Sequence, residues 1–514
     1  MTNCQACAAP ISIPQKHQAL LEDLKINTPK FCYRCSWKRK MQWQNDYQIY
    51  PRTCSATNKN IISIYKSDVP FPVYEREYWF SDEWEAPHLK YDSEKSFFDQ
   101  YFELFKIAPR PHKSQVNTVN SDYTNLVFES KDCYLTFQAF RSEKLLYCYR
   151  SHRLRESMNC FFCSDSELLF EATNCNKCYN LKFSQDCSGC SDSSFLFDCK
   201  SCSDCFLCWN LRNKKNCILN KQYTPQEYQK HIQNIDLQKA LKLYAENKPN
   251  FIKKAAYILS SENCQGDFLV NCNNCEECYF TDGSEDCFAN IRATENKDCY
   301  DTVVGGLAEL SYNLLQPGWI YHSAYASACN HCQEIYFSEN CDTCTECIGC
   351  IGLRNKKFCI LNKSYPEKEY FELKKQILTK LIDEGDEEFF NPSRSPFDYD
   401  ETLADLYFPK NYQPTEILPS AFISSDQLNE SSFNCHTCQK PFNVTEQEIS
   451  FTKKLQTQIP HDCFRCRIKR LAQNYSQINP QNIPCHACGT ETLTNFAGFF
   501  DKIYCEDCYL HSID

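Results

Sequence analysis

Twelve cysteines fall into three sets of four whose spacing can bind a metal. Cys4, Cys7, Cys32 and Cys35 are spaced C-x2-C-x24-C-x2-C, and Cys435, Cys438, Cys463 and Cys466 repeat that spacing 431 residues later. Asn3, Pro10, Pro29 and Arg34 recur at the same offset as Asn434, Pro441, Pro460 and Arg465, so one module serves at both ends. Cys485, Cys488, Cys505 and Cys508 form a third set, C-x2-C-x16-C-x2-C, with Gly489 after its first knuckle. Two such knuckles supply four soft thiolates, and a tetrahedral S4 set is the preferred structural site for zinc. Four thiolates leave no open coordination position, so about three structural Zn2+ sites are expected, none of them catalytic.

Composition narrows the function classes. The 514 residues include 39 cysteines but 11 glycines, and residues 1–188 contain no glycine at all. Neither G-x-G-x-x-G nor G-x-x-x-x-G-K-[ST] occurs, which argues against a Rossmann or P-loop enzyme and a nucleotide cofactor. No histidine sits in HExxH or an evident Cys–His nucleophile motif, so the chain reads as no enzyme. No apolar run approaches the ~18 residues of a membrane span. The start, MTNCQACAAP, lacks a signal-peptide layout, so the expected setting is cytoplasmic, away from membranes, with reduced thiols.

Basic residues surround or follow the last knuckle of the two duplicate modules: Arg34, Lys38, Arg39 and Lys40 in one, Arg465, Arg467, Lys469 and Arg470 in the other. Against a chain charge of −11, these modules are positive, which makes the eight residues candidate nucleic-acid contacts. A solvated helix face explains them as well. Two net negative charges on a zinc tetrathiolate also discount the effect.

The 26 central cysteines keep a different rule. Every third residue from Ser121 to Leu211 is Cys, Ser, Thr, Ala, Val or Leu, with no charge among 31 positions. Gly266 to Leu353 follow the same rule apart from Asn290, Asn296 and Pro317, in a register that Cys264 breaks. Cysteines also recur at twelve, as in Cys163, Cys175, Cys187 and Cys199. Such a rhythm predicts a mainly β fold: a duplicated, narrow parallel β-solenoid of about 12-residue coils, small side chains inward. Asn or Asp often precedes the inward residue (Asp132, Asn159, Asn174, Asp186, Asp198) and tolerates the tight corner.

Core packing explains why Ser, Ala or Leu replaces cysteine in register. Further zinc knuckles, such as Cys175, Cys178, Cys187 and Cys190, are the alternative. The runs Cys199, Cys202, Cys205, Cys208 and Cys341, Cys344, Cys347, Cys350 approach a ferredoxin motif, which leaves an Fe–S or thiol redox role open. Their last gap is x2, however, and Trp209 or Ile351 follows in place of proline.

The elements that position these groups follow from a second duplication. LRNKKNCILNKQY at 211–223 recurs as LRNKKFCILNKSY at 353–365, an offset of 142 that also relates the dense cysteine runs. A helix should follow each copy, and Thr224-Pro225-Gln226-Glu227 reads as a capping box. The resulting order is a zinc-ribbon-like module (1–54), an aromatic connector (55–118), a solenoid block (119–223) and a helical cap (224–260). A second block (261–365), a cap (366–390), a proline-rich linker (391–430), a zinc-ribbon-like module (431–476) and a zinc ribbon (477–514) complete it. Cys54 has no assignment.

The terminal FCYRC and CFRCR ribbons, IISIYKSDVPFPVY, WFSDEW and the repeated LRNKK-CILNK together resemble uncharacterised Cys-rich proteins of candidate-phyla bacteria with terminal zinc-ribbon domains. That likeness implies zinc ribbons at the ends and carries no activity. Some relatives bear a CaiB/BaiF label, whose fold nothing in this sequence resembles. The expectation is a non-enzymatic zinc-binding scaffold with an extended solenoid surface and a macromolecular partner, protein or nucleic acid.

Overall fold

The computed structural model describes residues 2–384, 389–410, 417–424, 427, 432–476 and 478–513. Parts of the proline-rich linker placed at 391–430, Pro414 included, lie outside the described residues. The chain forms two compact units, each discontinuous: Met1–His112 with Ala256–Asp405, and Lys113–Ala255 with Leu406–Asp514. Each unit holds one solenoid.

In the second unit a parallel ladder runs from Gln115–Val116 to Lys215–Ile218 and closes with an antiparallel return, Lys221–Gln222. In the first unit the ladder runs from Ile258–Leu259 to Lys357–Ile360 and closes with Lys363–Ser364. Strand partners such as Met158↔Phe170 and Ser191↔Ser203 stand twelve residues apart, one coil on the next. The residues of the three-residue register form the two solenoid cores. The fold expected from the rhythm is the fold observed.

Cys264 joins the register once its coil is measured. The first coil of that block is one residue short, pairing Ile258 with Leu269 and Leu259 with Val270. Cys264 therefore stacks under Cys275 and packs against the core like the rest.

Corners fall at every third residue, and nearly all take a positive φ. Asp132 (φ 55°), Asn174 (50°) and Asp198 (48°) do so as expected, but Phe162 (56°), Phe183 (51°) and Trp319 (56°) hold the same turn. Left-handed backbone costs an ordinary residue about 1–2 kcal/mol. The ladder offsets that cost: the N–H of Asn174, for example, bonds the Phe161 carbonyl of the coil below at 3.0 Å.

The turns also aim some backbone N–H groups inward, and the small polar side chains answer them. Ser142 Oγ accepts from the N–H of Leu154 at 3.2 Å, Ser166 Oγ from Cys178 at 2.9 Å and Ser193 Oγ from Cys205 at 2.9 Å. Cys332 Sγ does the same for Cys344 at 3.4 Å. Asn290 and Asn296, which interrupt the small-residue pattern, accept from Thr302 (3.0 Å) and Ala308 (3.1 Å). Gly305 offers no acceptor, and the residue twelve on is Pro317, which has no N–H to satisfy. A Cβ at Gly305 would meet the Pro317 ring at 2.5 Å, so this pair also fits sterically.

The capping box forms as the sequence implies: the Thr224 side chain accepts from the Glu227 N–H, and Glu227 returns to the Thr224 backbone. Tyr228 and Tyr370, one on each following helix, are buried.

Candidate metal centres

The first half of each tetrad is a tight turn. The N–H of Cys4 bonds Ala9 O at 2.8 Å and that of Ala8 bonds Cys4 O at 2.9 Å, with Ala8 at φ 58°. Cys435 with Gln439, and Cys485 with Gly489, repeat both bonds and the positive φ. The second half stands at a helix start: Cys32 caps Tyr33–Met41, Cys463 precedes Phe464–Ser476 and Cys505 precedes Glu506–Ile513. A helix N-terminus favours thiolate over thiol.

The sulfurs converge. In each of the three tetrads the four Sγ atoms lie within 4.8 Å of one another. Cys7–Cys32, Cys438–Cys463 and Cys488–Cys505 are 3.7, 3.7 and 3.8 Å apart. A tetrahedron with Zn–S bonds of about 2.3 Å has edges of about 3.8 Å, so donor type and spacing both fit zinc. Backbone N–H groups point at ligand sulfurs. Cys435 Sγ accepts from Cys438 (3.5 Å) and Cys463 (3.3 Å), and Cys485 Sγ accepts from Cys505 (3.3 Å). Burial alone would push the Cys4 thiol up, but N–H groups of Cys32, Ala6 and Cys7 outweigh it and hold the thiol at about 6. The same balance, with Cys505, Cys488 and Ala487 as donors, holds Cys485 at about 6.

The solenoid thiols do something else. Cys163 Sγ points to the carbonyls of Phe161 (3.6 Å) and Ala172 (3.5 Å), and Cys175 Sγ to those of Thr173 (3.5 Å) and Ser184 (3.6 Å). The bond to the carbonyl two residues back recurs along both blocks, as at Cys187 and Cys341. Burial pushes the Cys133 thiol up to about 12 and raises Cys187 and Cys287 well above the ordinary range. Among the described residues, the groups that could hold a metal ion are the three ribbon tetrads. Neither Cys175–Cys190 nor the two dense runs makes a further set.

Three of the eight basic residues expected as nucleic-acid contacts are buried in ion pairs. Lys40 (1% exposed) pairs with Asp301 at 2.7 Å, Arg467 with Glu448 at 2.6 Å and Arg470 with Glu171 at 2.8 Å. The others lie nearer the surface, with Arg34, Arg39, Arg465 and Lys469 half-buried and Lys38 exposed. Arg39 packs over Phe31 and Lys38 over Tyr399.

The buried cations dock the two duplicate ribbons on the solenoids, and in each case the partner is not the neighbouring block in sequence. The helix Tyr33–Met41 sits on the 261–365 solenoid: Trp37 Nε1 donates to Ala289 O at 3.0 Å and Ser36 Oγ to Asp301 at 2.5 Å, with Asn313 3.3 Å from the same carboxylate. The helix Phe464–Ser476 sits on the 119–223 solenoid: Arg467 reaches Asn159 at 3.4 Å and Arg470 clasps Glu171 through both Nη atoms. Asn159 and Asp301, and Glu171 and Asn313, are each 142 residues apart, so the two units repeat one docking plan. Removing one member of such a buried pair strands a charge at a cost of about 3–5 kcal/mol, whereas replacing both can be near neutral. Lys40→Met is therefore expected to lower the denaturation midpoint of the first unit, with most of the loss recovered in Lys40→Met/Asp301→Leu. Urea titration checks this.

The structure also accounts for Cys54. Strands Tyr50–Thr53 and Asn60–Ser63 form an antiparallel hairpin that repeats Gln481–Pro484 and Glu491–Thr494 at the offset of 431. Cys54 stands at the place of Cys485 and Thr57 at that of Cys488. The knuckle bonds are present: Cys54 N to Lys59 O at 2.8 Å, and Asn58 N to Cys54 O at 3.1 Å. Cys54 Sγ accepts from Thr57 (3.5 Å) and Glu75 (3.2 Å), as Cys485 accepts from Cys505. Glu75 then caps the helix Arg76–Phe80. Residues 50–80 are thus a fourth ribbon with Thr57, Glu75 and Tyr78 where three cysteines would stand, and Lys59 bonds Glu75 at 2.9 Å. The offset of 431 marks its first knuckle in the sequence, and its second half follows at 430. Thr57→Cys/Glu75→Cys/Tyr78→Cys is expected to add one zinc per chain, measured by atomic emission.

The two LRNKK arginines serve inside their units. Arg212 bonds Asp198 (3.1 Å) and Tyr509 OH (2.6 Å), and Arg354 lies under Trp79 and Trp84. Among the described residues, no helix is long and apolar enough to cross a membrane. No family model and no curated protein matches the chain.

Proposed function

We propose that the protein is a non-enzymatic zinc scaffold: closed tetrathiolate ribbons fasten to two β-solenoids and leave their outer faces for macromolecular partners. The observation carrying this reading is the contrast between thiols that converge at 3.7–3.8 Å in the ribbons and thiols that bond carbonyls in the solenoids. Sulfur in the first group serves a metal and in the second serves packing, and neither arrangement presents a nucleophile or an open coordination position. The burial of Lys40, Arg467 and Arg470 removes three cations from a nucleic-acid footprint. Zinc here would hold ribbon halves together, a role in which metal binding is folding free energy.

Cobalt substitution tests the closed sites. The reading expects a tetrahedral thiolate visible spectrum that added azide or imidazole leaves unchanged. A spectrum that shifts with either ligand would show an open position and contradict a purely structural role.

A further inference from the structure

The two solenoids end in nearly the same thirteen residues, yet those ends are covered differently. In the first unit the stretch after the helix Arg76–Phe80 lies across the last coil. Arg354 donates to the carbonyls of Phe80 and Ser81, the latter at 2.7 Å. Asn362 Nδ2 donates to Pro87 O at 2.8 Å, the N–H of Leu89 to Leu361 O at 3.0 Å and the N–H of Tyr91 to Tyr365 Oη at 3.2 Å. Leu361 and Asn362 are consequently 0% and 8% exposed.

In the second unit the matching helix, Glu506–Ile513, brings Tyr509 to Arg212 much as Trp79 meets Arg354. Among the described residues, nothing covers the coil beyond. Leu219, the counterpart of Leu361, is 37% exposed, and Asn220, the counterpart of Asn362, is exposed too. A cavity of about 840 Å3 lies at this place, lined by Lys200, Trp209, Arg212, Lys214, Asn220 and Ser512 among others. Asn220 Nδ2 bonds Trp209 O at 2.9 Å, just as Asn362 Nδ2 bonds Ile351 O at 2.9 Å. Asn362 adds a bond to the covering chain, and among the described residues Asn220 has no counterpart of it.

Charge indicates what fits. The covering stretch of the first unit carries Asp82, Glu83 and Glu85 around Trp84. The open cavity presents Lys200 and Lys214, both exposed, with Lys215 adjacent. Position 200 corresponds to Asp342 in the covered copy, so the open groove is the more cationic of the two.

We propose that this groove docks an extended, acidic, tryptophan- and proline-bearing segment of a partner protein, laid across the coil as residues 81–91 are in the first unit. The proposal rests on the scaffold reading and gives it a partner class. Binding would combine backbone hydrogen bonds to an exposed coil edge with side-chain selection by the lysines and Trp209.

The probe is a fluorescein-labelled peptide of residues 81–91, SDEWEAPHLKY, titrated into the full-length zinc-loaded protein by anisotropy. The expected result is saturable one-to-one binding, weakened at least about tenfold by Asn220→Ala/Lys214→Glu. Asn362→Ala, in the covered groove, should leave it unchanged, and circular dichroism verifies that each variant is folded. No saturation by about 1 mM peptide would overturn the proposal. So would equal binding by a scrambled peptide or by the double variant, or displacement of the peptide by single-stranded RNA. Dimers that the peptide disperses would make the occupant a second copy and overturn the assignment to a partner. Failure here with an unresponsive cobalt spectrum removes the groove and leaves the scaffold reading standing.

Discussion

Replacing Cys175 by aspartate is expected to unfold the solenoid of the second unit, while replacing it by serine is expected to leave that solenoid intact. Cys175 is fully buried, stacked between Cys163 and Cys187, with carbonyls of Thr173 and Ser184 as its polar neighbours. A carboxylate there meets acceptors and thiols, with no cation to pair. The effective penalty for a stranded buried ion is several kcal/mol, against a total stability of about 5–15 kcal/mol for a domain. Serine keeps a donor for the carbonyls and already stands in register at Ser166, Ser184 and Ser193. Its cost should stay within about 1 kcal/mol. Denaturant titration followed by far-ultraviolet circular dichroism separates the two variants.

The same chemical exchange in a ribbon should have the opposite outcome. Cys463→Ser is expected to lower the zinc content from three to two per chain and to release the 431–476 module to proteases. Cys463 belongs to a tetrad that could hold a metal ion and stands at the start of the helix Phe464–Ser476, whose Arg467 and Arg470 fasten the module to its solenoid. Structural zinc supplies roughly 10–16 kcal/mol of apparent binding energy in small ribbons and fingers, and that energy is what folds them. Without it the docking helix loses its origin, and the buried pair Arg470–Glu171 loses its enclosure. Limited proteolysis and metal analysis of one preparation report both effects. A pair of results with Cys175→Ser tolerated and Cys463→Ser disruptive divides architectural sulfur from ligating sulfur at a single atom.

Much of this was legible before any coordinate. The solenoid could be read because its interior admits only small side chains, and a three-residue exclusion of charge survives every local substitution from Cys133 to Leu211. The tetrads could be read because ligand spacing is set by a knuckle whose hydrogen bonds require it. Other features depend on the stacked ladder and leave a weaker mark. Phe162 and Trp319 take left-handed corners against their own preference because the coils above and below hold them there. Asn290 and Asn296 looked like interruptions until the inward N–H groups of Thr302 and Ala308 were seen to need acceptors. Cys264 looked out of register because one coil is short by a residue.

Docking was the least legible layer. Lys38, Arg39 and Lys40 are consecutive cations in sequence, yet Lys40 is buried against Asp301, 261 residues away, while Lys38 is exposed. The helix places them on different faces, and only the partner surface decides which is buried. Likewise, nothing along the chain shows that the N-terminal ribbon belongs with the second block and the C-terminal ribbons with the first. Those pairings are long-range, and their traces are the offsets of 142 and 431, which reveal a duplication without saying how its parts assemble.

The central claim is that sulfur in this protein has two separate uses, and metal quantification with thiol counting on anaerobically purified protein tests it most directly. Three zinc ions per chain are expected, released in step as a mercurial titrates the twelve tetrad cysteines. The buried solenoid thiols should react only after the solenoids are unfolded, and the protein should be colourless. Fewer than two zincs per chain, metal rising well beyond three, or iron with broad visible absorbance would contradict it.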